Sequence, residues 1–182
     1  MEYKITLKKF FLHLHTINKH RFIVFKLSIR AGIPLQGLVH DLSKYSPVEF
    51  FEGVKYFQGN YSPIRNCKKV NDYSKAWLHH KGRNKHHYEY WYDENLDDPT
   101  ILMPYKFFAE MVCDTLSAAI TYNKDKFNNN TELEYYMNKR KTANINKKID
   151  KMLIEVYKEV SKSGIKKTVT SKNLKEIYNK YK

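Results

Sequence analysis

Nowhere in this sequence do about 18 apolar residues run together, the length an α-helix needs to cross a bilayer. The opening stretch, Met1 to Phe10, carries lysines but no apolar block long enough for an export signal, so a cytoplasmic protein without membrane association is expected. Cysteine is scarce: Cys67 and Cys113 stand alone, with no CxxC pair and no ladder, which excludes a disulfide scaffold and suits a reducing compartment. Glycine (6) and proline (5) are also few for 182 residues, and strict apolar/polar alternation is nearly missing. Few turns and little alternation argue against sheets and for an all-α fold.

What is present is a globular composition, with 42% apolar, 15% aromatic and 29% charged residues. Length and composition suit one domain with a single core. The net charge is +14, unevenly spread: +9 falls from Thr115 onward and +5 before it, whereas all eight histidines precede residue 88. A histidine-rich front and a lysine-rich back need separate explanations.

Spacing of apolar residues predicts about six to eight helices. The first runs from about Thr6 to Arg30, with Leu7, Phe10, Phe11, Leu14, Ile17, Val24 and Phe25 on its apolar face. Pro34 suits the first turn of a short helix carrying Leu35, Leu38, Val39 and Leu42 at core spacing. Ser46-Pro47-Val48-Glu49 reads as a capping box opening a third helix to about Phe57, and completing that box is the role expected of Glu49. Residues 59–67 read as loop. A helix from about Asn71 carries Tyr73, Ala76, Trp77 and two histidines, and Pro104 opens another that reaches Tyr122. Thr131-x-x-Glu134 is a second capping box; a helix from Asn144 to Ser161 and a last one from Ser171 follow. The expected core covers about 6–123, with the lysine-rich helices of 129–182 as a candidate appendage within one domain of 1–182.

The informative feature is polar residues on apolar stripes. His20 follows Ile17 by three and precedes Val24 by four; Asp114 follows Met111 by three and precedes Ala118 by four. A buried unpaired carboxylate costs several kcal/mol, so Asp114 needs a cation or strong donors. His80 continues the Tyr73-Ala76-Trp77 face, whereas His79 points to a more polar side. The His40-Asp41 dipeptide closes the short second helix, and both side chains reach one centre only at a helix edge. Imidazoles with carboxylates suit divalent transition ions.

Val39-His40-Asp41-Leu42-Ser43-Lys44 resembles the LHD(I/L)GK signature of the HD-domain metal-dependent phosphohydrolases, with Ser43 in place of glycine. That superfamily is an all-α domain whose ligands come in the order H, HD, D, many members adding two histidines between HD and D. The matching positions here are His20, His40-Asp41, the segment His79-His80-Lys81-Gly82-Arg83-Asn84-Lys85-His86-His87, and Asp114. The second half is also similar to the cyclic-dinucleotide phosphodiesterase branch through His86-His87, Met103-Pro104 and the segment Cys113 to Ala118, without that branch's GYP element. His80 and His87, seven apart, would share a face if their helix continued through Gly82, as would His79 and His86; the first pair is favoured because His80 is on the apolar stripe.

The resemblance implies one or two divalent ions (iron, manganese, zinc, nickel or cobalt, with magnesium as an alternative) on His20, His40, Asp41, His80, His87 and Asp114, with Asp41 bridging. It implies hydrolysis of a small phosphate ester such as a nucleotide. Lys44 would hold a phosphate oxygen as a point charge and Arg83 bidentately, with Lys81 and Lys85 in the same segment as further substrate contacts. Two other readings compete. One is a di-iron oxygenase on the same scaffold. The other is a basic nucleic-acid-binding protein, suggested by the net charge and by Tyr135, Tyr136, Lys139, Arg140 and Lys141, but without any recognised motif. The stripe from Ile145 to Val160 offers either core packing or a homo-oligomer contact.

Overall fold

Thr6 is extended, its hydroxyl accepts the amide of Lys9, and helix α1 (Leu7–Arg30) starts from that cap. In the computed structural model, which describes residues 3–182, this long helix is the element on which α2 (Pro34–Val39), α3 (Pro47–Tyr56) and α6 (Tyr105–Asn123) all rest. Helices α4 (Pro63–Asn71) and α5 (Lys75–Arg83) pack on α3. The chain closes with α7 (Thr131–Lys139), α8 (Lys147–Ser163), α9 (Ile165–Thr168) and α10 (Ser171–Tyr181). The fold is all-α: among the described residues there is no strand, and Tyr92 and Thr100 form an isolated bridge.

Two glycines set how closely α1 is approached. A Cβ added at Gly37 of α2 would stand 2.4 Å from Cβ of Ser28, and one at Gly53 of α3 would stand 2.2 Å from Nε2 of His13. Both neighbours therefore lean on α1 where a side chain is lacking.

The main core joins Val24 and Leu27 of α1 and Phe108, Met111, Val112 and Leu116 of α6 to Met152, Val156 and Tyr157 of α8 and Leu174 and Tyr178 of α10. The lysine-rich C-terminal helices are thus part of this core through their apolar stripes, with the lysines facing out, rather than an appendage. Each fully buried side chain of this size stabilises by roughly 1.5–3 kcal/mol.

Several expectations are corrected. Of the stretch 59–67 expected as loop, 63–67 are helix, the start of α4: Pro63 sits at the first helical position, and the polar residues Arg65, Lys68 and Lys69 mask the short buried face of Pro63, Asn66 and Cys67. Helix α5 begins at Lys75 because Asp72 adopts φ 64° and the Ser74 hydroxyl caps the amide of Trp77. Thr131 does not cap; it is already helical, and its hydroxyl accepts the amide of Asn128. Above all, the apolar residues of α2 do not enter the core. Leu35, Leu38, Val39 and the following Leu42 are 78%, 57%, 54% and 52% exposed, as are Leu7 (78%) and Phe11 (64%) of α1.

Candidate metal centre

The site is built where α1, the end of α2, α5 and α6 converge. His20 lies inward on α1 between buried Ile17 and Val24. Helix α2 stops at Val39, and Asp41 then takes a left-handed conformation (φ 54°, ψ 27°), which aspartate tolerates better than most residues. This turn resolves the problem of adjacent residues: off the helix, both His40 and Asp41 are buried to 1% exposure. Arg21 secures the turn. Its Nε donates to the His40 carbonyl (2.8 Å) and its Nη2 to the Leu38 carbonyl (2.9 Å), satisfying oxygens left over at the helix end. Its Nη1 donates to the Tyr45 hydroxyl, which donates to Asn18 Oδ1 (2.6 Å).

His80 comes inward from the last turn of α5, as expected. Helix α5 then ends at Arg83, so the seven-residue spacing that would pair His80 with His87, or His79 with His86, has no helix to act through. The chain instead turns at Asn84, and both His86 and His87 reach the cluster, His86 being 1% exposed. His79 does not reach it; its Nδ1 meets Glu49 Oε1 at 2.6 Å.

Seven side chains form two overlapping groups. Asp41, His80, His86 and His87 offer ligand atoms all within 4.8 Å of one another, and so do His20, His40, Asp41 and Asp114. Asp41 belongs to both: its Oδ1 is 3.3 Å from His80 Nε2 and 3.5 Å from His86 Nε2, and its Oδ2 is 3.2 Å from His40 Nε2 and 3.9 Å from His20 Nε2. Asp114 Oδ1 is 3.0 Å from His20 Nε2 and 3.4 Å from His40 Nε2.

The donor chemistry fits a cation. Nε2 of His20, His40 and His86 and both Asp41 oxygens are buried without a hydrogen bond of regular geometry, although Lys44 Nζ is 2.6 Å from Asp41 Oδ2. Leaving such groups unsatisfied costs about 1–3 kcal/mol each, so a cluster of them calls for a charge to bind. Two carboxylates orient the rings from behind. Glu110 Oε1 is 2.8 Å from His40 Nδ1 and 3.1 Å from His86 Nδ1, and Glu49 Oε2 is 2.7 Å from His80 Nδ1. A ring that gives its Nδ1 proton to a carboxylate presents the Nε2 lone pair inward, the arrangement of histidine ligands braced by acids. Glu49 does not complete the box expected of it: its amide meets the Ser46 hydroxyl, but the Ser46 amide goes to the Ser43 carbonyl and the Glu49 carboxylate turns instead to His79 and His80. Glu110 was not expected at all. Its signal was present in the sequence as a second carboxylate four residues before Asp114 on the same helix face.

The electrostatics show how strongly this interior is charged. Burial favours neutral Asp41, yet His40, Lys44 and His80 hold its carboxyl well below the usual range; Asp114 is held down in the same way by His20 and His40. Burial opposes a proton on His40, but Asp41 and the bonds toward Asp114 and Glu110 raise its pKa well above the usual value. His20 is lowered by burial and by Lys44, and His87 is pushed well down by burial, His86 and His80. Glu110, despite burial, is drawn down to about 2 by His40 and His86.

The basic residues divide. Lys44 sits at the rim, 27% exposed. No contact among the described residues joins Lys81, Arg83 or Lys85 to the cluster: Arg83 Nη1 reaches back to the His79 carbonyl (3.4 Å) and Lys85 Nζ lies over the Tyr90 ring (5.4 Å). Both are exposed.

With this geometry in hand, a family model matches residues 9–159. The chain belongs to DUF5662, a family of unknown function. The DUF5662 match contains all seven clustered residues and both bracing glutamates, and leaves α9 and α10 outside. No curated protein matches the chain, and no solved structure does.

Proposed function

We propose that this DUF5662 protein is a metal-dependent phosphohydrolase of the HD type, with two divalent ions held by His20, His40, Asp41 and Asp114 on one side and by Asp41, His80, His86 and His87 on the other. The observation that carries the reading is Asp41: a buried carboxylate whose two oxygens face two separate histidine sets. A paired site of this kind supplies charge for a phosphoryl group and an acidified water when loaded.

The chain's own groups do the rest. Glu110 and Glu49 keep the ligand rings in one tautomer and orientation. Lys44 stands at the partly open side together with Asp114, whose side chain is 14% exposed, and is the cation placed to meet a substrate oxygen. The all-α architecture is compatible with this reading, and the proposed ligand set differs from the sequence expectation by including His86 as well as His87.

The test is elemental analysis of the purified protein, beside a panel of nucleotides, phosphodiesters and general phosphatase substrates. Divalent transition metal near two equivalents, activity on at least one ester, and loss of both in Asp41→Asn are expected. A protein that carries no metal after purification and reconstitution overturns the reading. A loaded protein inert on the whole panel but consuming oxygen replaces it with an oxygenase.

A further inference from the structure

Helix α1 is apolar on two sides. Its inward side carries Ile17, Val24 and Leu27, but Leu7, Phe11, Phe22, Phe25 and Ile29 recur at spacings of four, eleven, three and four, which at 3.6 residues per turn places them on one stripe facing away from the core. Leu7, Phe11, Phe22 and Ile29 are 78%, 64%, 58% and 52% exposed. Beside this stripe lies α2 with Leu35, Leu38 and Val39, also outward, and the two helices enclose a shallow groove lined by Phe22, Phe25 and Leu38 with Arg21 and Asn18. Globular surfaces show single apolar residues freely, but here exposed Phe22 and Ile29 of α1 stand beside Leu35, Leu38 and Val39 of α2, with Leu7 and Phe11 on the same side beyond Asn18, and such a gathering marks a docking surface.

The charge around it is of one sign. Helix α1 holds Lys8, Lys9, Lys19, Arg21, Lys26 and Arg30 and no acidic residue, and α2 has none either. Lys8, Lys19 and Lys26 follow along one flank of the stripe; all three are exposed, and Lys26 Nζ lies over the Phe22 ring at 4.2 Å. No ion pair among the described residues involves these three lysines. Exposed Leu and Phe bordered by unpaired Lys is the pattern of a helix that lies in a membrane interface, where apolar side chains enter the acyl boundary and cations meet anionic headgroups.

We infer that the outer face of α1 and α2 docks this protein on an anionic lipid surface. A second copy of the chain is a poorer occupant, because symmetric pairing would set two acid-free, lysine-flanked helices against each other. A nucleic acid would meet the lysines but leave the Leu/Phe stripe in water. Among the described residues no helix is long and apolar enough to cross a membrane, and the proposed contact is one of lying on the surface. The inference is independent of the metal centre and departs from the expectation of no membrane association.

The experiment is co-sedimentation of the full chain with vesicles of phosphatidylcholine alone and of phosphatidylcholine with phosphatidylglycerol. Two variants accompany it: Phe22→Ser/Leu35→Ser/Leu38→Ser, and Lys8→Gln/Lys19→Gln/Lys26→Gln. All six positions are exposed, so unchanged circular dichroism and melting confirm the fold. Binding only to the anionic vesicles, weakened at least tenfold in each variant and reduced by salt, is the expected result. Absence of binding to anionic vesicles at low salt overturns the inference. So does binding lost in the lysine variant but kept in the apolar one, which describes a polyanion surface. A concentration-dependent dimer abolished by the apolar variant, in sedimentation without lipid, assigns the face to a second copy instead.

Discussion

Replacing Glu132 by glutamine should stabilise this protein at pH 8 and leave it almost unchanged near pH 4.5. Glu132 lies in the first turn of α7, is 5% exposed and has no hydrogen-bond partner among the described residues. Burial disfavours its ionised form; Lys139 offsets part of this and Asp114 adds to it, and the carboxyl is raised from 4.5 to about 8. For an acid whose folded pKa exceeds its unfolded one, both states hold the proton below pH 4.5 and nothing is lost. As pH rises further, the unfolded chain ionises while the folded one does not, and each unit removes about 1.4 kcal/mol of stability until the folded group titrates. The helix N-terminus works the other way by roughly 0.3–1 kcal/mol. A net penalty of about 3–4 kcal/mol at pH 8 follows, large against a total stability of roughly 5–15 kcal/mol. Glutamine keeps the shape and removes the titration. Urea denaturation of both proteins in chelator, across this pH range and with m-values compared, reads the gap directly. A gap that stays flat with pH, or that favours the wild type at pH 8, refutes the account of Glu132.

Glu110→Gln should fold but hold metal about 10–100-fold more weakly, since the brace on both His40 and His86 is lost; competition with a chromophoric chelator measures it. In chelator, the wild type's advantage over Glu110→Gln should be fully present above about pH 4.5 and disappear toward pH 2, because a carboxyl depressed in the folded state loses its contribution as pH falls through the folded value. Gly53→Ala gains about 1 kcal/mol of helix propensity but forces a methyl against the His13 ring, so a net loss of about 1–2 kcal/mol by urea melt is expected, relieved in a His13→Ala background. Arg21→Ala should cost about 1–3 kcal/mol and speed metal loss to chelator, and lysine should not restore either, because a single ammonium cannot grip the Leu38 and His40 carbonyls together.

Residues whose position follows from helical periodicity were legible in the sequence. His20, His80 and Asp114 each sit on an apolar stripe, and each points inward. Legibility failed where the chain leaves the helix. His86 reaches the cluster through a turn at Asn84, and Asp41 through a left-handed residue, and neither conformation is written in apolar spacing. Periodicity also misled about direction: Leu35, Leu38 and Val39 keep core spacing yet face out, because α2 meets α1 through Gly37 instead. The bracing role of Glu49 was hidden behind its capping motif, in which the carboxylate would reach back to the Ser46 amide; here it holds two histidines instead. Lys81, Arg83 and Lys85 were assigned by nearness in sequence, and their side chains do not face the cluster that their neighbours His80, His86 and His87 enter.

The contact between Gly37 and Ser28 governs more than the fit of two helices. His20 lies eight residues before Ser28 and His40 three after Gly37, so the span between these two imidazoles is gauged by how far one backbone sinks toward the other. An absent methyl acts as the shim. Any larger residue at position 37 would lift α2 like a wedge under a plate and carry His40 and Asp41 with it, pulling the cluster apart without altering any of its seven side chains.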